Sequence, residues 1–191
     1  MNIERISDSA ARFCGVSFDA ELVLIDSAQV FHWRRDGGAF LGVSGGRAAR
    51  LVPEEGGFLL EGCRADDEAF WTRYFDLTRD YGALRQAASA CPAALEALEK
   101  LPGLRVLRQP PWETLVAFIV SANNNVARIR RIVRALIDAL GEDGAFPTPA
   151  ALAAAGEDRL RTLGCGYRAP FLTGSACMVL DGFDLDALAA L

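Results

Sequence analysis

The run Ser121-Ala-Asn-Asn-Asn-Val-Ala-Arg-Ile-Arg-Arg-Ile-Val-Arg134 sets three consecutive asparagines in front of a segment with four arginines. Neutral hydrogen-bonding side chains, the open N–H groups of a helix start and clustered guanidiniums make a receptor for an anionic polymer. A helical wheel at about 100° per residue puts Val126, Ile129, Ile132, Val133, Leu136, Ile137 and Leu140 on one arc. Arg128, Arg130, Arg131 and Arg134 fill the opposite arc. One asparagine suffices to cap such a helix. Three, set behind the apolar Val116–Val120, leave at least one side chain to face a ligand. The competing reading is an arginine face that water alone solvates.

A second chemical cluster is Gly164-Cys-Gly-Tyr-Arg168. Glycines on both sides of Cys165 permit a sharp turn that leaves an aromatic beside a guanidinium. An aromatic can fill a gap in a base stack, and arginine can donate to base edges. The alternative is a helix C-cap whose tyrosine packs on the core. Charge supports the first view. Residues 101–134 hold six arginines and Glu113, a net of +5, whereas the whole chain is −5 and the remainder therefore −10. Positive charge is local, so bulk acidity does not exclude a nucleic-acid partner.

Other chemistry is sparse. The single histidine, His32, lies between Phe31 and Trp33 and reads as a half-exposed strand residue. Five widely spaced cysteines with no C-x-x-C pair read as buried free thiols, and no metal or cofactor is expected. Lys100 is the only lysine, a count that bears on any amine chemistry.

The elements that must position these residues divide into two kinds. Apolar-rich runs Glu21–Ile25, Val30–Arg34, Ala39–Val43, Arg47–Val52 and Phe58–Glu61 alternate with Gly-rich turns and predict an antiparallel meander. From Asp66 the period becomes helical, predicting helices over 66–77, 80–90, 92–100, 112–121, 125–140, 149–155, 157–163 and 169–181, with Thr148-Pro149 as N-cap and first residue of one of them. The fold class is α+β: an antiparallel sheet domain over 1–64, then an incomplete helical domain over 65–191. Half the residues are apolar and a quarter charged, as in soluble globular proteins. With a polar N-terminus and no long apolar run, a cytoplasmic, nucleoid-associated protein is expected, with no membrane contact. The segment 184–191 begins an amphipathic helix and stops on its apolar face, so a truncated sequence is expected.

Phe118-Ile-Val-Ser-Ala-Asn-Asn-Asn-Val-Ala-Arg128 and Leu163-Gly-Cys-Gly-Tyr-Arg-Ala169 resemble the 8-oxoguanine DNA glycosylase/AP lyase family. Ser27-Ala-Gln-Val-Phe-His-Trp-Arg34, Tyr74-Phe-Asp-Leu77 and Leu104-Arg-Val-Leu-Arg-Gln109 are similar to other signatures of that family, in the same order. The resemblance implies that Asn123 enters the space left by a flipped base and that Arg128 and Arg168 hydrogen-bond the orphaned cytosine. It implies that Tyr167 is the wedge beside that cytosine, and that the asparagine triplet and the Tyr-Arg turn converge in space. A polar plug and an aromatic wedge would offset the few kcal/mol that flipping costs. The family has glycine where this chain has Ala28, a position of the damaged-base pocket whose carbonyl accepts the N7 hydrogen of the oxidised base. The carbonyl survives the change, but a methyl is added where positive φ is expected. The family's helix-hairpin-helix, nucleophilic lysine and catalytic aspartate have no counterpart here, so no catalytic residue is assigned in this chain. The implied partner is double-stranded DNA with a damaged base, bound by a protein that is monomeric at full length. A non-catalytic module for damaged or intact duplex is the alternative, and a domain whose arginine helix is only solvated is a third reading.

Overall fold

The structure, a computed structural model, describes residues 1–189. Six strands, β1 (Asn2–Ser7), β2 (Ala10–Cys14), β3 (Trp33–Asp36), β4 (Ala39–Ser44), β5 (Arg47–Glu54) and β6 (Gly57–Glu61), form one sheet in the order β1-β2-β6-β5-β4-β3. Among the described residues eight α-helices follow: α1 (Glu68–Tyr74), α2 (Tyr81–Ala87), α3 (Pro92–Lys100), α4 (Pro111–Ser121), α5 (Val126–Leu140), α6 (Pro149–Thr162), α7 (Ala169–Leu180) and α8 (Leu185–Ala189). This is the expected α+β class.

Three strand expectations change, the first in its bounds: of Val30–Arg34, residues 30–32 are not strand and β3 is Trp33–Asp36. Residues 21–25 are not a strand: Leu22–Asp26 is one helical turn, closed by Ser27 N–H donating to Leu22 O at 2.9 Å. Asp19 Oδ1 starts it by accepting from Leu22 N–H at 2.9 Å, and Val23, Leu24 and Ile25 are all buried. A short run buried on every side carries no period by which helix and strand could be told apart. The hairpin β1–β2, in turn, is absent from the sequence reading. β1 is a mostly exposed edge strand, and an edge strand rich in charge shows little apolar alternation.

Contacts divide the chain into two compact units. One comprises residues 1–29, 33–41 and 49–108; the other comprises 30–32, 42–48 and 109–191. The compositional change at residue 64 is thus a change of element type, and the compact units divide elsewhere.

The first unit is built on aromatic packing. Phe13 and Phe58 are directly paired across β2 and β6, with ring centroids 5.0 Å apart. One residue on, a Cβ at Gly57 would lie 1.9 Å from Phe13 O, so only glycine fits there. Trp71 stacks on Phe75, and Trp33 Nε1–H donates to Tyr74 Oη at 3.0 Å; all four side chains are buried. A polar knot sits among them. Asp76, buried and with φ +51°, accepts from Arg79 Nε at 2.5 Å, Arg108 Nε at 2.8 Å and Tyr81 Oη at 3.0 Å. Arg105, itself buried, donates to the Asp76 carbonyl at 2.7 Å. Three donors make this buried carboxylate tolerable. Two of the six arginines behind the local charge of +5 are therefore structural, a correction to the sequence-level count.

The second unit buries one face each of α4, α5, α6 and α7. Its core holds Val116 and Val120 of α4, Ile129, Ile132, Val133, Leu136 and Ile137 of α5, Leu152 and Leu160 of α6, and Leu172 of α7. The α5 residues are the apolar arc of the wheel; Val126, at its start, is 42% exposed. Thr148 caps α6 by accepting from Ala151 N–H at 3.1 Å, with Pro149 next, as expected. Gly156 (φ +69°) kinks α6 between the two helices that the sequence predicts. Trp112 Nε1–H donates to Pro147 O at 2.8 Å within this unit.

Glu113 of α4 is buried in the second unit and takes Ser44 Oγ–H at 2.6 Å and Gly45 N–H at 2.7 Å, holding the β4–β5 turn. His32 Nε2 lies 3.7 Å from its carboxyl, and the imidazole meets Phe146 edge-on at 5.7 Å. His32 is therefore buried, not half-exposed, because the chain at 30–32 belongs to the second unit's interior. Desolvation pushes Glu113 up to about 7 against the two hydrogen bonds, and pushes His32 down to about 4. Both groups thus favour their neutral forms. The Glu113 contribution to stability is full below its ordinary 4.5 and is lost as pH rises through about 7. The His32 contribution is full above its ordinary 6.5 and is lost as pH falls through about 4. The two slopes oppose one another between them. Glu113→Gln removes one, so the stability difference between wild type and variant should shrink by about 1–3 kcal/mol from acid to neutral pH. Urea titrations at several pH values measure it; a pH-independent difference would contradict the assignment.

A candidate nucleic-acid interface

The interface is assembled where α4 ends and α5 begins. The last carbonyls of a helix have no partner within it. At Ala122 the chain leaves α4, and Asn123 takes φ +47°, a left-handed conformation that asparagine tolerates better than most residues. The three asparagines then do three different things. Asn125 caps α5, its Oδ1 accepting from Arg128 N–H at 2.9 Å. Asn124 Nδ2 turns back to Val120 O at 3.0 Å and closes the end of α4. Asn123 is exposed, and among the described residues its side chain has no hydrogen-bond partner.

The second cluster meets the first. Cys165, buried between Gly164 (φ +95°) and Gly166 (φ +58°), roots the turn in the core, its N–H donating to Leu160 O at 3.1 Å. Burial pushes its thiol up to about 11, so it stays protonated and inert. A single turn of 3-10 helix, Gly166–Arg168, then directs two side chains at the end of α4. Tyr167 Oη–H donates to Ala122 O at 3.1 Å while its ring stays 56% exposed. Arg168 Nε donates to Ala122 O at 3.0 Å, and Nη2 donates to Ala122 O and, at 3.0 Å, to Asn123 O. The expected convergence of triplet and turn is present, made through backbone carbonyls.

Three of the four residues expected to face DNA are exposed here: Asn123, Arg128 and Tyr167. Arg128 lies in the first turn of α5, and among the described residues neither its guanidinium nor that of Arg131 has a partner. Arg134 is paired with Asp138 at 2.8 Å. Arg168, the fourth, is buried. It is 3% exposed, engaged with the carbonyls of Ala122, Asn123 and Cys165, and covered by the Tyr167 ring at 4.5 Å. A carbonyl cluster at a helix end competes for such a donor more strongly than water does.

Ala28 lies in the first unit. It adopts φ +55° despite its methyl group, so the positive φ expected of a glycine is kept by alanine. Its neighbour Gln29 locks the segment, with Nε2 donating to Arg105 O and Oε1 accepting from Leu107 N–H, both at 2.9 Å. Two exposed aromatics near the candidate residues in sequence, Phe118 of α4 (72% exposed) and Phe171 of α7 (61%), were missed by sequence reasoning. Their only signal was proximity: Phe118 five residues before Asn123, Phe171 one helical turn after Tyr167. Also against expectation, Cys91 and Cys177 are exposed, though all five thiols are free. Among the described residues no cluster of three metal-ligating side chains occurs, and no helix is long and apolar enough to cross a membrane.

The family description "8-oxoguanine DNA glycosylase, N-terminal domain" matches residues 14–115, more than half of the sequence. The chain belongs to the 8-oxoguanine DNA glycosylase family. Residues 116–187 match a second description, the HhH-GPD superfamily of base excision DNA repair proteins. This family member is 44% identical over 84 residues to an N-glycosylase/DNA lyase of Saccharomyces cerevisiae, a match covering 39% of this chain and 22% of the relative. It is 39% identical over 89 residues to N-glycosylase/DNA lyase OGG1 of Arabidopsis thaliana, covering 42% and 24%. Among solved structures, the Clostridium acetobutylicum 8-oxoguanine glycosylase/lyase in complex with dsDNA containing cytosine opposite 8-oxoG superposes with a TM-score of 0.91 at 26% identity. That match covers 100% of this chain and 69% of that one. MBOgg1 in complex with a low-affinity DNA ligand gives 0.88 at 30% identity, covering 95% and 66%. The 8-oxoguanine glycosylase-like chain thus spans under a quarter of the curated relatives in these matches, and about two thirds of the solved chains.

The division of labour among the asparagines is measurable. Asn125→Ala should lower unfolding free energy by about 1 kcal/mol through loss of the cap, whereas Asn123→Ala should change it by less than about 0.5 kcal/mol. Chemical denaturation of the two variants checks this; equal losses would show that Asn123 is structural. Ala28→Gly relieves left-handed strain of about 1 kcal/mol, part of which is offset by added freedom in the unfolded chain. A small net stabilisation is expected in the same assay.

Proposed function

We propose that this chain supplies the duplex and orphan-base contacts of a base-excision glycosylase/AP lyase that removes 8-oxoguanine opposite cytosine. One observation carries the reading. An unpartnered Asn123 amide, an exposed Tyr167 ring and an unpaired Arg128 are gathered around the end of α4. In this reading Asn123 plugs the gap left by the extruded nucleotide, Tyr167 wedges the stack beside it, and Arg128 donates to the acceptor edge of the orphaned base. A good bidentate contact of this kind discriminates by about 1–3 kcal/mol. The Ala28 carbonyl is the pocket contact for the oxidised base. The structural relatives solved with DNA, including the Clostridium acetobutylicum complex, support the choice of partner.

The amine chemistry of the lyase step is not assigned to this chain. A Schiff base needs a desolvated, reachable amine. Lys100, the single lysine, is exposed on α3 in the first unit and paired with Glu96 at 2.6 Å. The same observation favours a second reading, a damaged-duplex-binding module without cleavage. Gel-shift titration tests the shared core of both. Binding should favour a duplex with an abasic-site analogue over the intact duplex, weaken as salt rises, and lose that preference by about tenfold in Asn123→Ala and Arg128→Ala. Equal binding to both duplexes would sink the proposal. Borohydride trapping on an abasic duplex separates the two readings: no covalent adduct is expected from this chain, and an adduct lost in Lys100→Ala would reverse the assignment of Lys100.

A further inference from the structure

We infer that Gln29 is a positioning residue for damage recognition, fixing the direction in which the Ala28 carbonyl points. The inference rests on the pocket role of Ala28 proposed above. Ala28 holds φ +55° in spite of its methyl group, and a conformation of that kind persists only where its surroundings over-determine it. Here one side-chain amide does so. Gln29 Nε2 donates to Ser27 Oγ at 3.1 Å and to Arg105 O at 2.9 Å, and its Oε1 accepts from Leu107 N–H at 2.9 Å. The first bond ties together the residues on either side of Ala28. The other two tie them to a segment that Arg105 anchors through the carbonyls of Ser17 and Asp76. Ser27 Oγ is itself held, donating to Val23 O at 2.9 Å and accepting from Gln29 N–H at 3.4 Å. That N–H shares a peptide plane with the Ala28 carbonyl, and in a trans peptide the two point in opposite directions. Aiming the N–H at Ser27 therefore sends the carbonyl the other way. Among the described residues the Ala28 carbonyl has no hydrogen-bond partner, although the residue is half-buried. A partly desolvated acceptor left open is a place for a donor from outside the chain. The oxidised base offers N7–H where guanine has a lone pair, so a carbonyl held in one direction attracts the first and repels the second.

Equilibrium binding by the whole chain tests this, with duplexes that differ only in carrying 8-oxoguanine or guanine opposite cytosine. Wild type should bind the 8-oxoguanine duplex about two- to tenfold more tightly, as one hydrogen bond allows. Gln29→Ala and Gln29→Met, the second keeping the side-chain volume, should both lose most of that preference. The preference for an abasic over an intact duplex needs no base at Ala28 and should persist in both. Ala28→Gly supplies a readout free of DNA. It should raise the urea midpoint of wild type by relieving strain. In Gln29→Met it should lower the midpoint, because Ala28 is released to ordinary φ and only the added freedom of glycine remains. An undiminished 8-oxoguanine preference, or a midpoint shift of the same sign in both backgrounds, would overturn the inference and leave the Ala28 reading standing. Loss of the abasic preference as well, or failure of both variants to fold, would mark a merely structural role and overturn it too. A wild-type chain that binds the two duplexes alike would remove the Ala28 reading and the inference with it. Should Gln29→Ala alone fail to fold, Gln29→Met carries both tests.

Discussion

The carbonyl of Ala122 is the point on which the candidate interface depends. It is one of the orphan acceptors at the end of α4, and it is satisfied by side chains 45 and 46 residues further along the chain. Backbone groups at helix ends must find partners when water is partly excluded. Here that obligation joins two segments that carry the interface chemistry. Tyr167 is held at its hydroxyl and so keeps its ring free; Arg168 gives up its own freedom to the same acceptor. The orientation of three exposed groups is thereby tied to the packing of α4 against the rest of the helical core, and not to flexible loops.

Neighbouring asparagines serve unlike purposes in this arrangement because each sees a different local geometry. One faces the open start of a helix, one faces the spent end of another, and the one between them sits where the backbone reverses hand. The amide that is not needed to satisfy the backbone is the one left for a ligand. Charge is sorted in a similar way. Arg105 and Arg108 serve a buried aspartate in the first unit, whereas among the described residues Arg128 and Arg131, on the outer face of α5, have no partner. In a chain acidic as a whole, these two guanidiniums are a local source of positive potential.

Much of this was legible in the residues alone. The two-faced pattern of 126–140 sorts the α5 side chains as the core does, and Thr148-Pro149 marks the start of α6. The convergence of the asparagine triplet with Gly164–Arg168 followed from resemblance and is visible in the hydrogen bonds. What was not legible has physical reasons. The turn at Leu22–Asp26 buries three consecutive residues, Val23, Leu24 and Ile25, and so carries no period. β1 is an edge strand without alternation. His32 lies in the interior 3.7 Å from a carboxyl 81 positions away in sequence, a tertiary placement that no local pattern encodes.

The three tryptophans fall on both sides of the division between the compact units. Trp33 and Trp71 are buried in the aromatic core of the first, their rings 6.1 Å apart, and Trp112 is anchored to Pro147 in the second. They are thus two built-in optical reporters, a buried pair in one unit and a half-buried, hydrogen-bonded ring in the other. Loss of cooperativity between the units would appear as two separated changes in intrinsic fluorescence, without any label attached to the chain.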